Sequence, residues 1–218
     1  MQNEINFDDP RFREILDKII ELFSEFGIRN LNMDDISRNL RISKKTLYQY
    51  VKSKEDLIEK LFCYDQVKWE NEFTKIKANE MNAIEILFTA SLLVAEEMNR
   101  ISPKVRFELK KYYEPAFNKF MVAKQQNIFN HMVKNMEKGI REGLYRSDLN
   151  IDMIANLYVK TLITMHNKDY CVMQDISSEE LFKVLFESHI RAISTPEGIA
   201  FFEKRKAEIQ EQNRNNNS

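Results

Sequence analysis

A chain of 218 residues, 43% hydrophobic and 11% aromatic, is long enough to bury one large core or two smaller ones. Four glycines and four prolines beside 31% charged residues exclude a turn-rich β fold and favour a mostly helical one. The net charge of −1 would argue against nucleic acid if charge were evenly spread. It is not: residues 1–28 hold three basic and seven acidic groups, a net of −4, whereas residues 29–54 hold seven basic and two acidic, a net of +5. Phosphate binding answers to that local field.

In chain order, Asp9-Pro10 reads as an N-cap and first helical position. Phe12, Ile15, Leu16, Ile19, Ile20, Phe23 and Phe26 then fall on one apolar stripe, and Gly27 closes the helix. Three further starts crowd into residues 32–57. Asn32 has Asp35 three positions on, Ser43 precedes Lys44 and Lys45, and Ser53 with Asp56 approximates a capping box. Two short helices at about 33–40 and 44–50, joined by a tight turn, describe a helix-turn-helix whose second helix enters a DNA major groove.

A long helix follows from Lys54, burying Leu57, Ile58, Leu61, Phe62, Trp69, Phe73 and Ile76. Another spans 82–100; Ser102-Pro103 and Glu114-Pro115 each restart the chain, the second opening a helix to about residue 138. After the turn at 139–149 come helices at about 151–168 and 178–193, both apolar on more than one face and so covered on more than one side. Thr195-Pro196 begins a short amphipathic tail with Phe201, Phe202 and Ile209, and residues 213–218 are expected to be disordered.

Cys63 and Cys171 lie far apart in helical patterns, the usage of reduced thiols in the cytoplasm. His131, His166 and His189 have no metal-ligand spacing, so neither metal nor cofactor is expected. No hydrophobic signal segment and no apolar run of about 18 residues is present, which points away from secretion and membranes. Paired catalytic carboxylates, a nucleophile–base set and a glycine-rich phosphate loop are all missing, so the expectation is a protein that is not an enzyme.

Gly27, Asp35-Ile36-Ser37, the run Ile42-Ser43-Lys44-Lys45-Thr46-Leu47-Tyr48-Gln49-Tyr50-Val51, Lys54 and Leu57 resemble the DNA-binding signature of the TetR family of transcriptional regulators. The close match covers residues 10–62. The resemblance implies an all-α fold of about nine helices: a helix-turn-helix DNA-binding domain at 1–53, a helical effector-binding and dimerisation domain at 54–195, and the tail at 196–218. It departs from the family pattern at three places. Arg41 stands where a turn glycine is usual and must take a left-handed geometry or a modified turn. Asp34 stands where some members carry a base-reading arginine, and Val51 replaces a common phenylalanine.

What the resemblance implies for function is a DNA-binding regulator, usually a repressor, that binds an inverted-repeat operator as a homodimer and is released by a small molecule. Asn32 and Ser43 then cap helix ends facing phosphates, Tyr48, Tyr50 and Lys54 hold phosphates, and Arg41 adds one such contact. Lys44, Lys45, Thr46 and Gln49 face the groove floor, where lysine suits guanine, glutamine suits adenine and a threonine methyl suits thymine. Lys44→Ala or Lys54→Ala is expected to weaken binding to all duplexes and flatten the salt dependence. The expected effector pocket is lined by Phe73, Phe88, Leu92, Phe107, Tyr112, Phe120 and Tyr158, for an apolar or amphipathic compound. The expected dimer face comprises Ile154, Leu157, Leu162, Met165, Phe182, Leu185, Phe186 and His189. The alternative reading is a protein of the same fold that organises chromosomes or division without an effector.

Overall fold

The computed structural model describes residues 7–78, 80–100, 102–164 and 178–216. Ten helices run through them: α1 Pro10–Phe26, α2 Met33–Asn39, α3 Lys44–Tyr50, α4 Lys54–Ala78, α5 Ala83–Arg100, α6 Pro103–Tyr112, α7 Glu114–Arg141, α8 Ile151–Thr164, α9 Ser178–Ile193 and α10 Pro196–Asn216. No strand occurs among the described residues; Tyr145 and Ser194 form an isolated bridge. The all-α class is as the sequence indicates, with one helix more than the expected nine.

Two compact units divide the chain. The first holds α1–α3, α4 up to Glu72, α6, and α7 up to Lys124. The second holds the end of α4, most of α5, the rest of α7, and α8–α10.

In the first unit the local chemistry sets each helix start. Asp9 accepts the Arg11 N–H at 2.9 Å, with Pro10 behind it. Asn32 and Asp35 form a reciprocal capping box, and Ser43 accepts the Thr46 N–H at 3.0 Å. Ser53 takes the Asp56 N–H at 3.2 Å, but the Asp56 carboxylate reaches past Ser53 to the Lys52 N–H at 2.6 Å. Phe12, Ile15, Leu16, Ile19 and Phe23 of α1 are buried against Ile36, Leu47, Leu57 and Ile58, with Val105 and Leu109 of α6 in the same core. Fully burying apolar side chains such as these is worth about 1.5–3 kcal/mol each relative to exposure. Phe26, in the last turn of α1, departs from the predicted stripe and is exposed.

Gly27 ends α1 at φ 82°, and Arg41 sits between α2 and α3 at φ 55°. The left-handed alternative foreseen for Arg41 is therefore the one adopted. The turn is held by the Arg41 N–H on the Arg38 carbonyl at 3.1 Å and the Ile42 N–H on the Ser37 carbonyl at 3.0 Å.

The second unit is built around Ile84, Met132, Met136, Tyr145, Tyr158, Leu162, Phe182, Phe186, Ile190 and Phe202. Tyr145 donates its hydroxyl to Asn135, whose amide donates to the Ala83 carbonyl at 2.8 Å, so two buried polar side chains satisfy each other inside that core. The tail differs from expectation. Rather than fraying, α10 continues to Asn216, started by Thr195, whose hydroxyl accepts the Gly198 N–H at 3.1 Å, and anchored by fully buried Phe202. The asparagine-rich composition gave the helix interior too little weight against that anchor. Met165, His166 and Cys171 lie outside the described residues.

Candidate nucleic-acid interface

Helix α3 has seven residues and spends only Leu47 fully on the core. Lys44, Lys45, Tyr48 and Gln49 are exposed, Tyr48 by 48%. Arg41 and Ser43 are exposed at its entrance. This is the geometry of a helix that offers one face to a groove: an apolar anchor on one side, and long donors and an aromatic hydroxyl on the other.

Several side chains have commitments that limit their use. Asn32 accepts the Asp34 and Asp35 N–H groups at 2.8 and 2.9 Å, so its carbonyl oxygen is taken by the cap. The Ser43 and Thr46 hydroxyls share a 2.8 Å hydrogen bond, which turns the hydroxyl of Thr46 inward to the cap. Lys44 forms an ion pair with Asp34 that joins the first turns of α2 and α3.

Two residues expected at phosphates have partners inside the first unit of the free chain. Tyr50 stacks on Phe12 with ring centroids 4.9 Å apart and donates its hydroxyl to Asp9 at 3.1 Å. Burial, then the Asp9 carboxylate, pushes its phenol above the usual tyrosine range. Tyr48 and Tyr50 diverge as their spacing requires, but the divergence sends Tyr50 to α1 rather than to a groove wall. Lys54 likewise points inward: its ammonium donates to the Ile28 carbonyl at 2.6 Å and to the Leu31 carbonyl. Burial holds this lysine below the usual range, with Glu108 opposing the shift.

Glu108 positions the α1–α2 connection, a role its sequence position does not announce. It is buried on α6, and its carboxylate accepts the Ile28 N–H at 2.6 Å and the Arg29 N–H at 3.3 Å. Lys54 takes carbonyls of the same turn, so the α1–α2 connection is clamped from both polarities. Arg29 is also fixed: its guanidinium stacks 4.4 Å over the Tyr112 ring and donates to the Tyr112 hydroxyl at 2.9 Å. No local pattern foretells a contact across about 80 residues; the one signal was a glutamate on the apolar side of α6 beside Val105 and Leu109.

The residues expected to line an effector pocket are dispersed. Phe107, Tyr112 and Phe120 belong to the first unit, and Phe73, Phe88, Leu92 and Tyr158 to the second. Phe107, Tyr112 and Leu92 are exposed. Phe120 stacks on Phe62 at 4.5 Å, Phe73 on His131 at 4.1 Å, and Phe88 meets Phe186 edge-on at 5.5 Å. Tyr158 is buried against His189 at 4.4 Å.

The expected dimer face also divides. Leu162, Phe182, Phe186 and His189 are buried within their own unit and offer no surface. Helices that are apolar around much of their circumference have both a core side and an outer side, and these four are on the core side. Leu157 is 67% exposed, and Ile154 and Leu185 are half-buried. Met153 at 70% and Val184 at 65% join Leu157 on the outer side and were not foreseen.

Among the described residues no group of three potential metal donors converges, and no helix is long and apolar enough to cross a membrane.

Comparison with known proteins places this geometry. Residues 15–61, which span most of α1 through the start of α4, match the family described as bacterial regulatory proteins, tetR family. The HTH-type transcriptional repressor KstR2 of Mycobacterium tuberculosis is 26% identical over 161 residues, covering 67% of this chain and 74% of that protein. Its solved structure, titled as a ketosteroid transcriptional regulator, superposes with a TM-score of 0.53 at 19% identity, over 86% of this chain and 96% of that one. The HTH-type transcriptional regulator UidR of Escherichia coli is 24% identical over 195 residues, covering 88% of this chain and 95% of that protein. A transcriptional regulator from Cytophaga hutchinsonii shares the fold with a TM-score of 0.72 at 18% identity, over 86% of this chain and all of that one. With its capped, basic recognition helix, the segment 15–61 is the helix-turn-helix DNA-binding domain of the tetR family of bacterial regulatory proteins, and the proteins that the chain is similar to over most of its length are regulators of transcription.

Proposed function

We propose that the chain represses transcription from an inverted-repeat operator, which it binds as a twofold dimer, and that a small apolar or amphipathic molecule releases it. The observation that carries the dimer is the outer face of α8 and α9. Met153 and Leu157 are one helical turn apart on α8, Val184 lies on the neighbouring helix, and all three are at least 65% exposed. A twofold contact there would bury the patch against its own copy, at about 1.5–3 kcal/mol for each side chain fully covered. One recognition helix makes few base contacts, and two in a dimer read two half-sites.

Repression and the nature of the effector draw support from relatives. One is named a repressor and titled a ketosteroid regulator, and both words describe that protein. Within the second unit the half-buried rings of Phe73 and Phe88, with Tyr158, are the aromatic groups kept for such a ligand. The division proposed at the sequence level, 1–53, 54–195 and 196–218, assigns reading to the first segment and ligand and dimer functions to the second.

Selection of bound duplexes from a random pool, with light scattering of the free protein, tests the reading. A dimer and an enriched inverted repeat are expected, and Leu157→Glu should give monomers that lose tight binding while staying folded. A wild-type chain that is monomeric at micromolar concentration and enriches no repeat would refute it.

A further inference from the structure

Asp34 and Lys44 form an ion pair that joins α2 to α3. Asp34 is the second residue of α2, yet its carboxylate takes no part in the cap, which is completed by Asn32 and Asp35. Asp35 also pairs with Arg38 at 2.7 Å, so the two neighbouring acids have separate partners. The carboxylate of Asp34 crosses instead to the Lys44 ammonium at the first turn of α3. Both groups are accessible, with side chains 47% and 55% exposed, on the surface that carries Lys45, Tyr48 and Gln49. A carboxylate in that position does two things to a phosphate backbone: it neutralises one of the nearest cations and repels the phosphates themselves.

We propose that Asp34 makes the Lys44 contact conditional on docking: it withholds Lys44 from the phosphates of unmatched duplex and gives it up where α3 is fully seated. The inference rests on the DNA-binding reading of α3. In a loosely docked, unmatched complex nothing draws Lys44 from Asp34, and the pair counts as neutral. In a matched complex, base contacts by Lys45, Thr46 and Gln49 seat α3 deeply enough for Lys44 to reach groove or phosphate acceptors, and the exposed pair opens at little cost. Asp34 thus lowers the number of phosphate contacts, and with it the salt dependence, of the unmatched complex alone; the matched complex makes the Lys44 contact and bears the cost of opening the pair. Asp34 acts through Lys44 and is in that sense a positioning residue.

The test uses the full chain on two duplexes: one selected by the wild-type protein from a random pool, and one scrambled, each titrated across a salt series. Asp34→Asn keeps the side-chain size and removes the charge. It is expected to tighten unmatched binding about threefold per protomer at low salt. It should also steepen the unmatched salt slope by about 0.9 for each Lys44 released. The matched duplex should keep its slope, because Lys44 is already released there, while its affinity rises at least as much. Asp34→Glu, which keeps the carboxylate, should behave as wild type. In a Lys44→Ala background Asp34→Asn should no longer steepen the unmatched slope, leaving only the small gain from the repulsion removed. An unchanged unmatched slope, an equal change of slope on both duplexes, or a steepening that survives Lys44→Ala each overturns the proposal while leaving DNA binding intact. A wild-type chain that shows no salt-dependent binding to either duplex overturns the DNA reading and this inference with it.

Discussion

Lys54→Ala separates a structural lysine from a phosphate contact. The ammonium makes two charge-assisted hydrogen bonds, to the Ile28 and Leu31 carbonyls, at the turn whose N–H groups are held by Glu108. Bonds with a charged partner are worth about 1.5–3 kcal/mol each. The Lys54 side chain is only half-buried, and the Ile28 carbonyl keeps a 3.4 Å contact from the Leu31 N–H, so the two bonds together are discounted to about 2–3 kcal/mol. At an m-value of about 2 kcal/mol per molar, urea unfolding of the variant should shift down by about 1–1.5 M. The DNA salt slope, measured where both proteins are folded, should stay within about 0.3 of wild type, because no cation is lost from the phosphate-facing surface. Lys54→Met, which keeps the stem, should lose nearly as much stability. A variant with an unshifted urea midpoint and a slope flattened by about 0.9 per protomer would refute the inward placement of this lysine.

Arg41→Gly should stabilise the chain. A side chain at φ 55° costs about 1–2 kcal/mol, and the added freedom of glycine in the unfolded state returns about half of that, for a net gain of about 0.5–1 kcal/mol in urea unfolding. Gly139→Ala should do the opposite, because a methyl there would overlap the Tyr145 ring, which is buried and tied through its hydroxyl to Asn135. A loss of about 1–3 kcal/mol is expected, partly recovered by Tyr145→Leu in the same chain. His189 gives a pH dependence: burial pushes its imidazole from 6.5 down to about 4. The unfolded chain therefore takes a proton at His189 in a window where the folded chain does not. Its contribution to stability is complete above about pH 6.5 and is lost as pH falls toward 4, by about 3 kcal/mol. Urea unfolding at pH 7 and pH 4.5 should show a smaller pH penalty in His189→Gln than in wild type, and equal penalties would contradict the burial.

Helix starts were legible in the sequence because a cap is a local bond. Asp9, Asn32, Ser43 and Ser102 all accept from backbone N–H groups two or three residues ahead, and their spacing announces them. The sides of the helices were less legible. Spacing places Tyr48 and Tyr50 on different faces of α3, but which face meets α1 depends on Phe12 and Asp9, about 40 residues away. On α8 and α9, apolar residues lie on both sides, and composition cannot sort Leu162 and Phe186, which are core, from Leu157 and Val184, which are surface. Glu108 was illegible for the same reason in stronger form, since its partners are backbone groups of a turn that it never resembles in sequence. The outer face on α8 and α9 and the clamp at Ile28 are properties of the fold, and the motif alone contains neither.

The seven basic residues at 29–54 overstate the cations available to DNA. Lys54 is spent on the α1–α2 turn, Arg29 on Tyr112, Arg38 on Asp35 and Lys44 on Asp34. Arg41, Lys45 and Lys52 remain on the surface without an ion pair shown for them among the described residues. Three phosphate contacts correspond to a salt slope of about −2.7 per protomer, or about −5 for a dimer, whereas all seven would give about −12 or −13. The modest figure follows only if the internal pairs survive binding. Arg38 and Lys44 belong to exposed pairs worth about 0–1 kcal/mol and are the two most easily recruited. Lys54, with two carbonyls and the charge of Glu108 beside it, is the least. An unmatched-duplex slope near −5 that deepens toward −9 on the selected operator would place Arg38 and Lys44 among the groups that open on recognition. A slope near −12 on both duplexes would mean that even the clamped lysine comes free, and the internal contacts of the reading head would then contribute nothing to its selectivity.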